Sequence, residues 1–330
     1  QPVAFAFGGE AKPADYARAM ADGGLLALLA CLGLARLSHE TTPALSQLCF
    51  AALVFFGLST WTRHRIQSAA AVAAGMLGLT LSGAPSLALW LGMGGSLICA
   101  TAQPDPAQRR LTMLDVGLMA LIALLCITTA GALDLWRWRV VPHTMVDVHV
   151  LAKLMVWFTW PAWPLALWAL WRWRGQLSRG WRYPHLGLPL WFVIVTVGAT
   201  WFTGLSDRAL LTSLPAIATL AALALPTLRR SLGALIDWFT LLFFSVCALI
   251  IWVVWVAMQT GTPAKPAANV ARLAPEFVPE FSIGAFALAL VATVAWAALV
   301  RWRTGYHRAA IWKSLVLPAS GAALCWLLLT

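Results

Sequence analysis

The stretch TGLSDRALLTSLPAI, residues 203–217, sets Asp207 beside Arg208 between two apolar runs. An acid next to a guanidinium permits two kinds of chemistry. Arg208 offers a planar fork of donors that suits a phosphate, or it snorkels to an interface and pairs with Asp207. Similar residues recur in RLSHETTPAL, which carries His39 and Glu40, and in DLWRWRVVPHTMVDVHVLAK, which carries Arg137, Arg139, His143, His149 and Lys153. His39 and Glu40 are candidates for an acid–base or metal group, and the arginines and Lys153 for anion contacts. Plainer readings stand beside these. HETTP opens like the zinc motif HExxH but lacks its second His. Arg137 and Arg139 are flanked by Trp136 and Trp138, a pattern that also anchors a chain at a membrane interface. The histidines are spread over loops whose spacing assigns no ligand set. No GxxxxGK[ST] or strand-bound GxGxxG is present, so nothing points to a nucleotide cofactor.

These charges are scarce. Hydrophobic residues make up 61% of the 330 and charged residues 11%, and mean hydropathy is +0.79, far from the roughly one quarter charged residues of a soluble domain. Apolar runs of about twenty residues cross a bilayer as helices. The expected fold class is therefore all-α, a polytopic membrane protein. The formal charge of +11 would suggest nucleic acid in a soluble protein, but basic residues in a membrane protein gather in cytoplasmic loops, so no nucleic-acid partner is expected. The six cysteines sit in apolar runs without a CxxC pair and read as small packing residues. Most of the 20 tryptophans lie near span ends, as interfacial anchors do.

Hydropathy places eleven candidate spans, at about 23–37, 44–60, 66–82, 85–101, 111–133, 151–171, 186–205, 209–228, 234–258, 282–300 and 310–329, in a single transmembrane domain over 1–330. Basic clusters fall at every second loop, which makes the N-terminus of the chain cytoplasmic and the C-terminus extracytoplasmic. The same parity makes 66–101 a hairpin turning at Gly83–Pro85 and puts 36–45, 134–153, the SDR turn and 259–281 on one outer face. Thr42 and Pro43 read as N-cap and first helical residue. Thr144 and Asp147 resemble a capping box opening a short surface helix that carries His149 and Lys153 on one face. Pro161 and Pro164 predict a kink in 151–171, and the Pro-rich 259–281 an extended loop.

The run GLPLWFVIVTVGATWFTGLSDRALLTSLPAIATLAALALPTLRR resembles the span–turn–span signature of the GT-C membrane glycosyltransferases related to protein mannosyltransferases and the lipid A aminoarabinose transferase. In those proteins an outward turn with a basic residue precedes a Leu-Pro…Pro helix and a basic cytoplasmic loop, as in SDRALLTSLP and ALPTLRR here. LGLTLSGAPSLAL is similar to the family's Gly-rich hairpin and HETTPALSQLCFAALVFFGL to its outward turn and following helix. The resemblance spans about residues 20–230. It implies a GT-C-like fold in a bacterial-type inner membrane. It also implies transfer of a sugar from a polyprenyl-phosphate donor to a lipid or protein acceptor, with inversion at the anomeric carbon. Basic residues, and in some members a divalent metal ion, hold the lipid phosphate. Arg208 is the residue carried over for that role. The family's catalytic Asp belongs to a loop expected upstream of Gln1, so the chain reads as a fragment of a longer enzyme in which Glu40 is the internal candidate. A transporter or flippase for a lipid-linked substrate and a noncatalytic relative remain alternatives; the scarcity of ionisable residues inside the spans counts against transport.

Overall fold

The computed structural model describes the chain except residues 1–2, 5–9, 12, 102–112, 138–141, 143–144, 178–182, 229, 274–279, 306–314 and 330. Among the described residues the fold is helical, apart from one short antiparallel pair, β1 (Val3–Ala4) with β2 (Glu10–Ala11). The helices are α1 (Pro13–Leu29), α2 (Leu32–Leu37), α3 (Pro43–Thr60), α4 (Arg65–Leu81), α5 (Pro85–Thr101), α6 (Met113–Ala132), α7 (Met145–Phe158) and α8 (Ala162–Arg172). There follow α9 (Arg174–Leu177), α10 (Pro184–Thr203), α11 (Asp207–Leu210), α12 (Leu214–Ala224), α13 (Arg230–Thr260), α14 (Ala264–Leu273), α15 (Ile283–Gly305) and α16 (Val316–Leu329). Two compact units result, one of residues Tyr16–Leu225 and one of Gln1–Asp15 with Pro226–Thr330.

Among the described residues six helical stretches are long and apolar enough to cross a membrane, and a seventh span arises if α7 and α8 count together. The chain is thus built as a multi-pass membrane protein, with six or seven of the eleven expected spans represented by helices of full crossing length among the described residues. Helices α4 and α5 have 17 residues each and α16 has 14, below the roughly 20 that a perpendicular crossing needs. The expected span 23–37 is broken. Helix α1 ends at Leu29, Cys31 adopts an extended backbone and α2 restarts at Leu32. The kink expected in 151–171 is a break of 100° at Thr159–Pro161. The short surface helix expected after Thr144 is the opening of the continuous α7; Thr144 itself lies outside the described residues. The Pro-rich 259–281 contains α14 where an extended loop was expected. Pro266 falls in the first turn of that helix, where the missing N–H has no intrahelical acceptor to lose.

The two breaks in the larger unit meet. Leu32 N–H donates to Trp160 C=O at 3.0 Å, and the Cys31 thiol points to Thr159 C=O at 3.8 Å. Gly33 lies flat against the Phe158 ring, whose side chain is fully buried. Helix α8 then packs along α12.

The hairpin prediction is met. Helices α4 and α5 pack together through a turn in which Gly83 has φ +89°, and Pro85 is the first residue of α5. Helix α4 is rich in Ala and Gly, which allows it to approach α3 closely, as small residues do between membrane helices. A Cβ on Gly75 would stand 2.8 Å from Phe50 O and 2.9 Å from Val54 N, and one on Gly57 2.8 Å from Ser68 O. Thr60 and Ser68 hydroxyls bond across the same pair at 2.9 Å. In the smaller unit α13 and α15 are joined by Trp252 N–H donating to the Thr293 hydroxyl at 3.0 Å and Trp296 N–H to the Ser245 hydroxyl at 3.1 Å. Arg303 clasps Asp237 at 2.6 Å.

Besides the Val54 side chain, two of the atoms facing Gly75 are backbone and cannot swing away. Gly75→Leu is expected to lower stability by about 1–3 kcal/mol through overpacking, read as a fall in thermal unfolding midpoint in detergent. Gly117→Leu, on α6 with nothing near its Cβ direction, is expected to leave the midpoint nearly unchanged.

Candidate functional site at one end of the larger unit

Three of the side chains singled out by type, Glu40, Asp207 and Arg208, come together where α2, the 38–42 turn, α7 and α11 meet. The turn is held by its own backbone: Ser38 N–H donates to Leu34 C=O, Glu40 N–H to Leu37 C=O and Thr42 N–H to Glu40 C=O. Thr42 has the extended backbone of an N-cap and Pro43 opens α3, as expected. Its hydroxyl, however, makes no capping bond and has no hydrogen-bond partner among the described residues.

On the other side Gly204, with φ +114°, turns the chain out of α10 and Ser206 leads into α11. Asp207 is the first residue of that helix, the end where the peptide dipoles favour an anion, and its Oδ1 accepts from the Arg208 backbone N–H at 2.9 Å. From Leu210 to Leu214 every residue is buried. The apolar stretch Asp207–Thr227 is 72% buried, against 6% for Ile283–Arg303. Arg208 therefore stands on the most deeply packed span, which fixes its position.

The pairing corrects the sequence reading. From Arg208, Asp207 accepts only the backbone N–H; the Arg208 guanidinium turns away, its Nε donating to Glu40 Oε2 at 2.7 Å. Asp207 instead faces Arg36, whose guanidinium nitrogen lies 3.4 Å from Oδ2. Arg36 also sits over the Trp157 ring at 5.3 Å from its centroid, within range of a cation–π contact. Two carboxylates and two guanidiniums thus alternate around one small patch. The guanidinium side chains are the open members, 54% exposed for Arg208 and 59% for Arg36, while Glu40 and Asp207 are 25% and 26% exposed.

Arg36 and Trp157 were not singled out by sequence. The available signal was topological: the parity of basic loops already put 36–45 and the SDR turn on one face. Gln47, near the start of α3, also donates to Ser82 C=O in the hairpin turn at 2.9 Å, so a third segment assigned to that face is indeed at this end. At the other end of α3 and α4, Arg65 Nε lies 2.7 Å from Asp115 Oδ1, joining two segments that the same parity put on the opposite face.

Of the remaining candidates, Lys153 is exposed one turn before Trp157 on α7, with His149 one turn earlier on the same face. Arg137 is exposed in the segment after α6. Arg139 and His143 lie outside the described residues. His39 neighbours Glu40 closely enough for its charge to act on that carboxyl. Among the described residues no three His, Cys, Asp or Glu side chains gather as a metal cage. Both carboxylates of the patch already face guanidiniums, so this donor set does not suit a resident divalent cation. Compared with known protein families, curated proteins and solved structures, the chain matches none.

The hydrogen bond from Arg208 holds the Glu40 carboxyl below the usual carboxylate range, with the positive charges of Arg208, His39 and Arg36 acting the same way. A depressed carboxyl stabilises the fold above its unfolded-state pKa and loses that contribution as pH falls through the lowered folded value. Between neutral pH and about 4.5 the clasp is expected to stay closed, and further acidification to open it. Thermal unfolding midpoints from pH 7 down to pH 3 should fall less steeply at the acid end for Glu40→Gln than for the native chain.

Proposed function

We propose that the chain belongs to a membrane glycosyltransferase that passes a sugar from a polyprenyl-phosphate donor to an extracytoplasmic acceptor, a lipid A-like lipid or a protein. In this reading the protein lies in a bacterial-type inner membrane with its N-terminus cytoplasmic and its C-terminus extracytoplasmic, so the Arg208 patch faces outward. The observation that carries the reading is the Arg208–Glu40 clasp beside Arg36 and Asp207, at the end of a deeply packed apolar span. A lipid phosphate at the bilayer surface requires charge-assisted donors, and arginine presents them as a planar fork.

The division of exposure supports the same reading. The carboxylates keep the guanidiniums oriented while leaving most of each fork open, so an arriving phosphate competes for donors already in place. Preorganised donors of this kind cost little reorganisation when charge arrives. Arg208 is the phosphate contact, Arg36 a second donor steadied by Trp157, and Glu40 the acidic group nearest the phosphate. Arg137, Arg139 and Lys153 are further basic residues available to the donor or acceptor headgroup. Among the described residues few ionisable groups lie within the spans, and two of them, Asp115 and Asp237, are tied to Arg65 and Arg303. That arrangement supports surface chemistry over ion-coupled transport.

The test is transfer of radiolabelled sugar from polyprenyl phosphate to acceptor lipid in proteoliposomes containing the full-length protein. Arg208→Ala is expected to lower transfer by about tenfold or more, through loss of a charge-assisted contact, with the thermal unfolding midpoint retained. Undiminished transfer by that variant removes Arg208 from the site. Movement of the lipid between leaflets without sugar transfer replaces the reading with a flippase, and neither activity in the native protein leaves the noncatalytic alternative.

A further inference from the structure

A groove of about 690 Å³ runs along α5 in the larger unit, away from the Arg208 patch. Buried Trp61, just after α3, and Met76 of α4 form its floor, while the exposed Trp90 of α5 and Val116 of α6 stand on its rim. Its lining is apolar with two exceptions, Ser96 and Asp115, and Asp115 is held by Arg65. From Trp90 to Ala100 it follows α5 for about 15 Å at 1.5 Å per residue, half of a hydrocarbon core about 30 Å thick. The groove is therefore one leaflet deep.

Its two ends differ. The Trp90 end is apolar. The Ala100 end meets Trp61 and Asp115, with Arg65 at 2.7 Å from Asp115 and the exposed Arg63 on the short turn between α3 and α4. Among the described residues this end carries two arginines against one aspartate. The buried Trp61 indole N–H has no hydrogen-bond partner among the described residues, and a buried donor of this kind calls for an acceptor. An occupant must then be an extended apolar chain one leaflet long that ends in hydrogen-bond acceptors and negative charge.

We propose that this groove binds an acyl chain of an anionic phospholipid, with the phosphate at the Trp61–Arg63–Arg65 end. Water gains nothing from an apolar cleft, whereas a hydrocarbon chain covers Met76 and the α5–α6 walls and brings ester and phosphate oxygens to the indole N–H. Arg65 is partly committed to Asp115, so Arg63 supplies the charge that distinguishes an anionic headgroup from a zwitterionic one. The site lies at the opposite end of α3 from Glu40, about 27 Å away over 18 residues, and does not depend on what the Arg208 patch does.

The experiment is native mass spectrometry of the full chain released from nanodiscs of equal phosphatidylglycerol and phosphatidylcholine. Retained adducts are expected to be mainly phosphatidylglycerol. Arg63→Gln is expected to reduce them about fivefold, the effect of one basic residue at an anionic headgroup. Ala120→Phe, which fills the groove from an exposed α6 position, is expected to remove them; an unchanged unfolding midpoint in detergent shows that both variants fold. Equal retention of the two lipids, undiminished retention by Ala120→Phe, or a dimer mass in place of a lipid adduct overturns the proposal.

Discussion

A helix that breaks inside a bilayer exposes backbone N–H and C=O groups that no water can satisfy. This chain breaks twice in its larger unit, at Ala30–Cys31 and at Thr159–Pro161, and brings the breaks together so that Leu32 N–H donates to Trp160 C=O. That contact does more than satisfy two groups. It sets α2 against α7, which carries Arg36 onto the Trp157 ring and therefore to within reach of Asp207. The flat seat of Gly33 on Phe158 belongs to the same junction; a side chain at residue 33 would push the two breaks apart.

The second support is the span that follows Arg208. Its buried residues, from Leu210 onward, pack against α3 and α10, while α8 lies along its later half. Two charges placed at the head of such a helix have little freedom, and the partners must come to them. Glu40 does so from a turn closed by three backbone hydrogen bonds, and Arg36 from the end of α2. The result is a small alternating array of charge in which the arginine side chains are the more exposed members.

Much of the scaffold was legible before any coordinates. The starts of α3 at Pro43 and α5 at Pro85 and the Gly83 turn all follow from local chemistry: a ring that fits a first turn and a residue free to take positive φ. The failures are equally physical. Hydropathy read 23–37 as one span because Cys31 and its neighbours are apolar whether or not they are helical. It read 259–281 as extended because Pro266 looks like a helix breaker unless it falls in the first turn, as it does in α14.

What the sequence alone determined is the solvent: long apolar runs with few charges require helices in a bilayer, because composition and length by themselves decide the cost of burying a backbone there. It also determined that Asp207 and Arg208 sit at the end of a span. Adjacency suggested that their side chains pair, and only the tertiary structure decided that the charged groups find other partners. Side chains of neighbouring residues at the head of a helix point in different directions, so Arg208 turns to Glu40 and Asp207 to Arg36. Those partners lie far away along the chain and become neighbours through the packing of two broken helices, a long-range constraint that no local pattern encodes.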